Sequence, residues 1–541
     1  MRLRVFVSAI LLLTLPGRAA AQVAFESSNL PILVIDTEGI EIPDEPKIPA
    51  RLGVIDNAEG ARNHLADPFS GYDGAIAIEV RGATSQLFPK KAYGFETREA
   101  DGSNNNVELL GLPRENDWVL HGPYSDKSLM RNAVAFALAR ATGRYASRAR
   151  FCEVVLNGTY LGVYLLLEKI KRDDARVDIA KLNEDENEGD DLTGGYILKI
   201  DKHVGSDALS WPSAFNTASY SVRYQYDYPA PDAITSQQRA YIRGVIDGFE
   251  ILMAGPDFDD PETGYAAVID VGSFVDFFLV TELTRNVDGY RISTYLHKDK
   301  DSNGGRVRMG PVWDFNLAIG NANYDRGDDV TGYQVEMDDT AFSVPFWWRR
   351  LLESSAFTRA VVARWEELRR GPYHPDTLDA LIDTQAALLD EAQARNFAQW
   401  PVLGEYVWPN PFVGQTYDDE VAYLRTFLRD RGAWLDANLP RLVVADEPAP
   451  AAPGAASLSV YPNPSAGQAQ VSLRVSEAGP VRVRIVDALG RTVARLHDGE
   501  VAAGERKFGW EARRLPAGLY VVVVEGSGWL VRQKLVITGA R

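Results

Sequence analysis

Residues 282–316 read ELTRNVDGYRISTYLHKDKDSNGGRVRMGPVWDFN, and the reading of this stretch decides how the rest of the chain is arranged. An apolar segment, Phe274 to Leu283, runs into a polar corner that carries Asn286 and Asp288. Ser293 to His297 is strand-like, a turn rich in Asp, Asn and Gly follows, and a second strand from Arg306 to Trp313 delivers Asp314. Strands of this length joined by Asp-Ser-Asn-Gly-Gly form a β-hairpin. Folding the hairpin back brings its outer ends together, which predicts Asp288 near Asp314. Two carboxylates so placed are the minimum equipment for phosphoryl transfer: one orients an attacking hydroxyl, the other holds a metal on the phosphates. The plain alternative is a pair of turn or cap residues. The turn from Asp299 to Gly304 also matches the first half of a calcium loop. Gly310 stands where the bidentate Glu belongs, however, so the segment is read as a hairpin turn.

Composition narrows the class. A chain of 541 residues is too long for one ordinary core and predicts two or three domains. Its 45% hydrophobic and 24% charged residues are those of a soluble globular protein. A net charge of −18 offers no basic face to nucleic acid or to an anionic membrane. The N-terminus begins MRLR, continues with a short apolar run and ends in Ala-Ala-Ala before Gln22, which predicts a secretory signal peptide over 1–21. That run is too short to span a bilayer, and no later segment is long enough, so no transmembrane segment is expected. The sole cysteine, Cys152, lies in an apolar strand pattern and is expected to be an inert buried thiol. The six histidines share no close helical spacing, which leaves a zinc site or a His-based hydrolase without support.

Upstream of the hairpin, Gly74–Arg81 and Ala92–Arg98 are predicted strands. The loop between them runs from Arg81-Gly82 to Lys90-Lys91. A small-residue loop with a lysine entering the following strand is how kinases cover and grip nucleotide phosphates, while two solvated lysines on an edge strand is the plain alternative. A helix is predicted from Ser125 or Asp126 to Arg140, because the run is rich in Ala and Leu behind a capping residue. Asn157-Gly158 between apolar runs predicts two antiparallel strands over 151–167, leading to Glu168. Gly194–Asp201 is a further strand, with Lys202 at its end. Helices are predicted over 236–253, 271–283, 346–370, 375–397 and 424–439, and Trp347, Trp348, Trp400 and Trp408 are expected to be core or groove lining.

The order Asn-x-Asp, strand, turn, strand, Pro-x-Trp-Asp-Phe, together with the Arg-Gly loop, resembles the CotH family of atypical protein kinases over roughly residues 28–440. The resemblance implies an α+β fold, a kinase-like two-lobed domain over 22–445, with ATP and Mg²⁺ as cofactors. By the same resemblance Asp288 matches the catalytic-loop Asp, and Asp314 is the metal-binding Asp with Asn316 beside it. Arg81 and Lys91 would contact the nucleotide, Lys90 being the alternative on the opposite strand face. Glu168 would either bond the nucleotide or brace Lys91. Asp126, Arg131 and Asn132 match the family's polar set at the helix. Two positions depart from the pattern. Ser293 stands where kinases place a metal-binding Asn, and Asn316 stands where CotH-like proteins often have Asp.

Residues 446–456 form a Pro/Ala linker. Beyond it, 457–541 show short alternating strands, turns at Gly467, Gly479, Gly490 and Gly504, and no helical period, which predicts a small all-β sandwich. This tail carries 12 Lys and Arg against 7 Asp and Glu, the reverse of the whole chain. Tyr461-Pro-Asn-Pro464, Asp487-Ala-Leu-Gly-Arg491, Leu515–Tyr520 and Lys534-Leu-Val-Ile537 resemble the C-terminal sorting domain of type IX secretion cargo, which implies that machinery as a partner and a location outside the cell or on its surface. The combined expectation is a secreted kinase that phosphorylates Ser or Thr of an extracellular or surface protein. The rivals are an inactive kinase-like adhesin or scaffold and, on the paired carboxylates and many Trp, an exported glycoside hydrolase.

Overall fold

A computed structural model describes residues 23–443 apart from 59, 203–209 and 338–341, and residues 456–537 apart from 464, 466–467, 488–491, 512–517 and 528. The expected signal peptide, the linker up to 455, the turn glycines Gly467 and Gly490, and residues 488–491 and 515–517 of the tail landmarks lie outside the described residues.

The first sheet is built from β1 (Ile32–Asp36), β2 (Ile48–Ile55), β3 (Tyr72–Arg81), β4 (Ala92–Arg98), β5 (Asp117–His121), β6 (Ala149–Leu156) and β7 (Thr159–Glu168), with helix α1 (Arg131–Ala141) between β5 and β6. It closes into a barrel of order β6-β7-β5-β4-β3-β2-β1, sealed by parallel pairing of Ile32–Ile35 in β1 with Glu153–Leu156 in β6. Alternate residues fill it, among them Leu33, Leu52, Ile78, Phe95, Trp118 and Leu166. Asn157 and Gly158 sit at φ 48° and 77°, the left-handed pair that a two-residue turn between β6 and β7 requires.

Beyond the barrel come β8 (Tyr196–Ile200), β9 (Ser210–Pro212), β10 (Arg223–Tyr228), α2 (Ser236–Ala254), α3 (Val271–Thr284), β11 (Thr294–Lys298) and β12 (Val307–Met309). The strands form a sheet of order β9-β10-β8-β11-β12. The predicted hairpin is present, with Leu296 opposite Met309 and Lys298 opposite Val307. Its second strand is shorter than the sequence suggests: Gly310 adopts φ 98° and Pro311 has no N–H to donate, so pairing stops at Met309. The turn's acids are already engaged, Asp299 accepting from the Ala180 and Lys300 amides and Asp301 pairing with Lys298 at 2.8 Å. That agrees with a turn rather than a calcium loop.

Helix α3 is apolar all round (VGSFVDFFLVTELT), and every residue from Ser273 to Thr284 is buried, as a central helix must be. Around it pack α4 (Phe346–Glu353), α5 (Ser355–Arg369) and α7 (Tyr417–Asn438), while α6 (Pro375–Gln399) lies against α7 and the barrel strand β7. Two expectations need correction. The single helix predicted over 346–370 is broken at Ser354, whose hydroxyl caps α5 by accepting from the Phe357 amide. The helix predicted from Ser125 begins at Arg131 instead, because Leu129 sits at φ 63°, outside helical space.

The tail forms two sheets, β13 (Ala456–Tyr461), β14 (Gln468–Val475) and β17 (Gly504–Glu511) in one, β15 (Gly479–Asp487), β16 (Thr492–Val501), β18 (Gly518–Gly526) and β19 (Trp529–Ile537) in the other. Val471, Leu473, Val483, Ile485, Val522 and Leu535 join them in one core. The chain is therefore a mixed α/β region followed by an all-β one. Among the described residues no helix is long and apolar enough to cross a membrane.

Candidate active site

The corner carrying Asp288 is fixed from below. α3 ends at Arg285, which takes the left-handed conformation (φ 47°) and donates to the Arg326 and Gly332 carbonyls at 2.8 Å. Asn286 Oδ1 then accepts from the Asp288 amide at 3.3 Å, and Nδ2 donates to the Asp314 carbonyl at 3.5 Å, tying one end of the hairpin to the other. Asp314 itself has φ 62°, uncommon for a residue with a side chain and held here by its neighbours.

Those neighbours come from α1. Asn132 Oδ1 accepts from the Phe315 amide at 2.7 Å, and Arg131 Nε donates to the Ile319 carbonyl at 3.3 Å. Asp126 orients Arg131, accepting from its Nη1 at 2.6 Å and from its backbone amide at 2.9 Å. The polar set at the start of α1 thus positions the segment that presents Asp314.

Asp288, Asp314 and Asn316 line one cavity of about 330 Å³. Its other walls are the β3–β4 loop (Arg81, Gly82, Ser85), an apolar slot of Ala92, Val119, Leu167 and Leu317, and Lys202, Tyr324 and Trp408. Arg81 lies over the Trp313 ring at 5.6 Å. Among the described residues neither carboxylate receives a hydrogen bond or an ion pair. Burial first, then the Asp314 charge, pushes the Asp288 carboxyl up to about 7, against the pull of Lys202 and Arg291. Burial also raises Asp314, opposed by Arg81 and assisted upward by Asp201. Two half-buried acids that face one cavity without protein partners among the described residues are a site for a cation. No three His, Cys, Asp or Glu side chains among the described residues could hold one alone, so ligand oxygens would have to complete the shell.

Not every expected residue joins the cavity. Lys91 Nζ donates to the Gln86 carbonyl at 2.6 Å, and Lys90 Nζ is buried against the Val163 carbonyl and Asn396 at 2.6 and 2.7 Å, so neither lysine is among the lining residues. Glu168 faces away as well: it is fully buried and grips Arg148 at 2.7 and 2.9 Å, bonding neither the cavity nor Lys91. Ser293 is not a wall residue. Lys202 takes the cationic place instead, with Asp201 close enough to raise both acids. The one signal for this pair in the sequence is its position at the exit of β8. Of the tryptophans, Trp347 and Trp348 are core, whereas Trp408 is 45% exposed and stacks flat on Tyr324 at the cavity (5.9 Å, 5°). Cys152 is buried with its thiol pushed up, as expected of an inert residue.

Residues 78–435, well over half of the chain, match the model of the CotH kinase protein family. The chain belongs to that family. Residues 459–538 match the secretion system C-terminal sorting domain, so the type IX secretion machinery handles this CotH protein and delivers it to the cell surface. No curated protein matches the chain.

Proposed function

We propose that the CotH domain is a kinase that moves the γ-phosphoryl group of ATP to a Ser or Thr hydroxyl of an extracellular or surface protein. The observation that carries this reading is the cavity itself, in which two partnerless carboxylates, Asp288 and Asp314, share walls with the cations Arg81 and Lys202. Asp288, with its carboxyl near 7, suits a base that accepts the acceptor hydroxyl's proton at neutral pH. Asp314 and Asn316 would hold Mg²⁺, which when bound draws charge from the phosphate oxygens. Arg81 and Lys202 offset the phosphate charge, and the slot of Ala92, Val119, Leu167 and Leu317 excludes water around a planar base.

The strand plan supports the same reading. β3 and β4 flank the small-residue loop, β5 pairs beside β4 after a short hairpin of Val107–Leu109 with Leu112–Glu115, and α1 comes next, an arrangement like that in which kinases carry their phosphate loop, nucleotide lysine and regulatory helix. The expectation of Lys91 on β4 is one strand early by this count. A second reading, an inactive scaffold, is favoured by the absence of a wall residue at Ser293 and by Asn316 in place of Asp.

Labelled ATP with Mg²⁺ and surface-protein extract tests the choice. Transfer by the wild type, lost in both Asp288→Ala and Asp314→Ala, is the expected result. Transfer surviving either substitution overturns the assigned roles, and nucleotide binding without transfer by the wild type selects the scaffold. Absence of nucleotide binding by the wild type discards the kinase and favours the scaffold.

A further inference from the structure

β5 is the strand on which a kinase carries its phosphate-binding lysine, yet it reads Asp117-Trp-Val-Leu-His121. Strand alternation sorts these side chains. Trp118 and Leu120 fill the barrel, while Val119 and His121 line the nucleotide-sized cavity. We infer that His121 is a phosphate-contacting residue of this site, taking the place that the strand plan reserves for a lysine. The inference rests on the nucleotide reading above.

Three observations carry it. His121 Nε2 is buried and has no partner among the described residues, a costly arrangement unless a ligand completes it. Its wall is the cationic one, shared with Arg81 and the Gly82–Ser85 loop, while the apolar slot continues from Val119 to Leu167. And β5 supplies the cavity with no cation of its own, so a donor to phosphate on this strand has to be the imidazole. Burial, resisted by Asp126 and reinforced by Lys90 and Arg81, holds the free ring neutral at about 4, so it meets a phosphate oxygen as a hydrogen-bond donor rather than as a fixed charge.

Calorimetric titration of the full chain with ADP and, separately, adenosine tests this. His121→Leu is expected to weaken ADP about tenfold or more, the loss typical of a bond to a charged group, with adenosine affinity within a factor of two of wild type. His121→Lys restores the charge that kinases use and is expected to bind ADP at least as tightly as wild type; its melting temperature checks the fold should the leucine variant fail to express. Wild-type ADP affinity in His121→Leu, or equal losses for ADP and adenosine, overturns the inference and leaves the kinase reading standing. No binding of either compound by the wild type overturns both.

Discussion

Two acids, the buried Glu282 and the half-buried Asp288, stand six residues apart and have opposite surroundings. Glu282 is saturated: it pairs with Arg431 Nη2 at 2.9 Å, accepts from the Tyr290 hydroxyl at 2.9 Å, and takes the Gln334 and Val335 amides at 2.8 and 2.9 Å. Asp288 has no such partner among the described residues, and its nearest charged company includes a second acid, Asp314. The first arrangement buries charge in order to fix the end of α3. The second leaves charge unmet, which stabilises nothing until a cation or phosphate-bound metal arrives. Burial therefore does not identify a functional acid; an acid in a cavity without partners is the better candidate.

The harshest way to break this contrast is Arg431→Ala. It strands Glu282 in the core, and denaturant titration should show a loss of roughly 3–5 kcal/mol. A loss under about 1 kcal/mol would put the two acids in the same class. Asp314→Ala sharpens the contrast from the other side. Phosphoryl transfer should fall by about 10³-fold or more while the denaturation midpoint stays level or rises, because removing a like charge relieves Asp288.

The next effect is smaller and depends on pH. The Asp288 carboxyl is raised in the folded state, so the native protein holds that proton more tightly than the unfolded chain does. Its stabilising contribution is complete below the ordinary carboxylate value and is lost as pH rises from about 4 to about 7. Asp288→Asn removes that loss, so at pH 8 the variant should be more stable than wild type by up to about 4 kcal/mol, with the advantage gone at pH 4. Parallel stability curves for the two proteins would sink the claim that Asp288 is unsatisfied. The smallest expected effect is that of Lys91→Ala. Its ammonium is spent on the Gln86 carbonyl, so ADP affinity should stay within about twofold and stability within about 0.5 kcal/mol. A tenfold loss of ADP binding would return Lys91 to the site.

The sequence discloses what short-range chemistry dictates. Asn157-Gly158 specifies its turn, the Asp-Asn-Gly run folds β11 onto β12, and Asp288 and Asp314 meet in one cavity because a hairpin joins their segments. Lys202 was beyond such reasoning. It reaches the cavity only because β8 lies beside β11, with Ile200 opposite Thr294, a pairing between strands almost a hundred residues apart. Lys91 was misplaced for the complementary reason: a basic residue entering a strand says nothing of which strand borders the cavity. The work of Arg131 and Asn132 was equally hidden, since their targets are the Ile319 carbonyl and the Phe315 amide across the core. Nor could propensity reveal that Leu129 delays α1, because the run around it is helix-forming on its own terms.

The seam between Ile32–Ile35 and Glu153–Leu156 has one more consequence. A cylinder without a free margin gives a neighbouring copy no strand to zip onto, which suits a molecule that works beyond the reach of cellular chaperones. The same seam sets a schedule. The first strand of the barrel cannot be locked in place until a stretch more than a hundred residues downstream reaches it, so this cylinder closes late in folding.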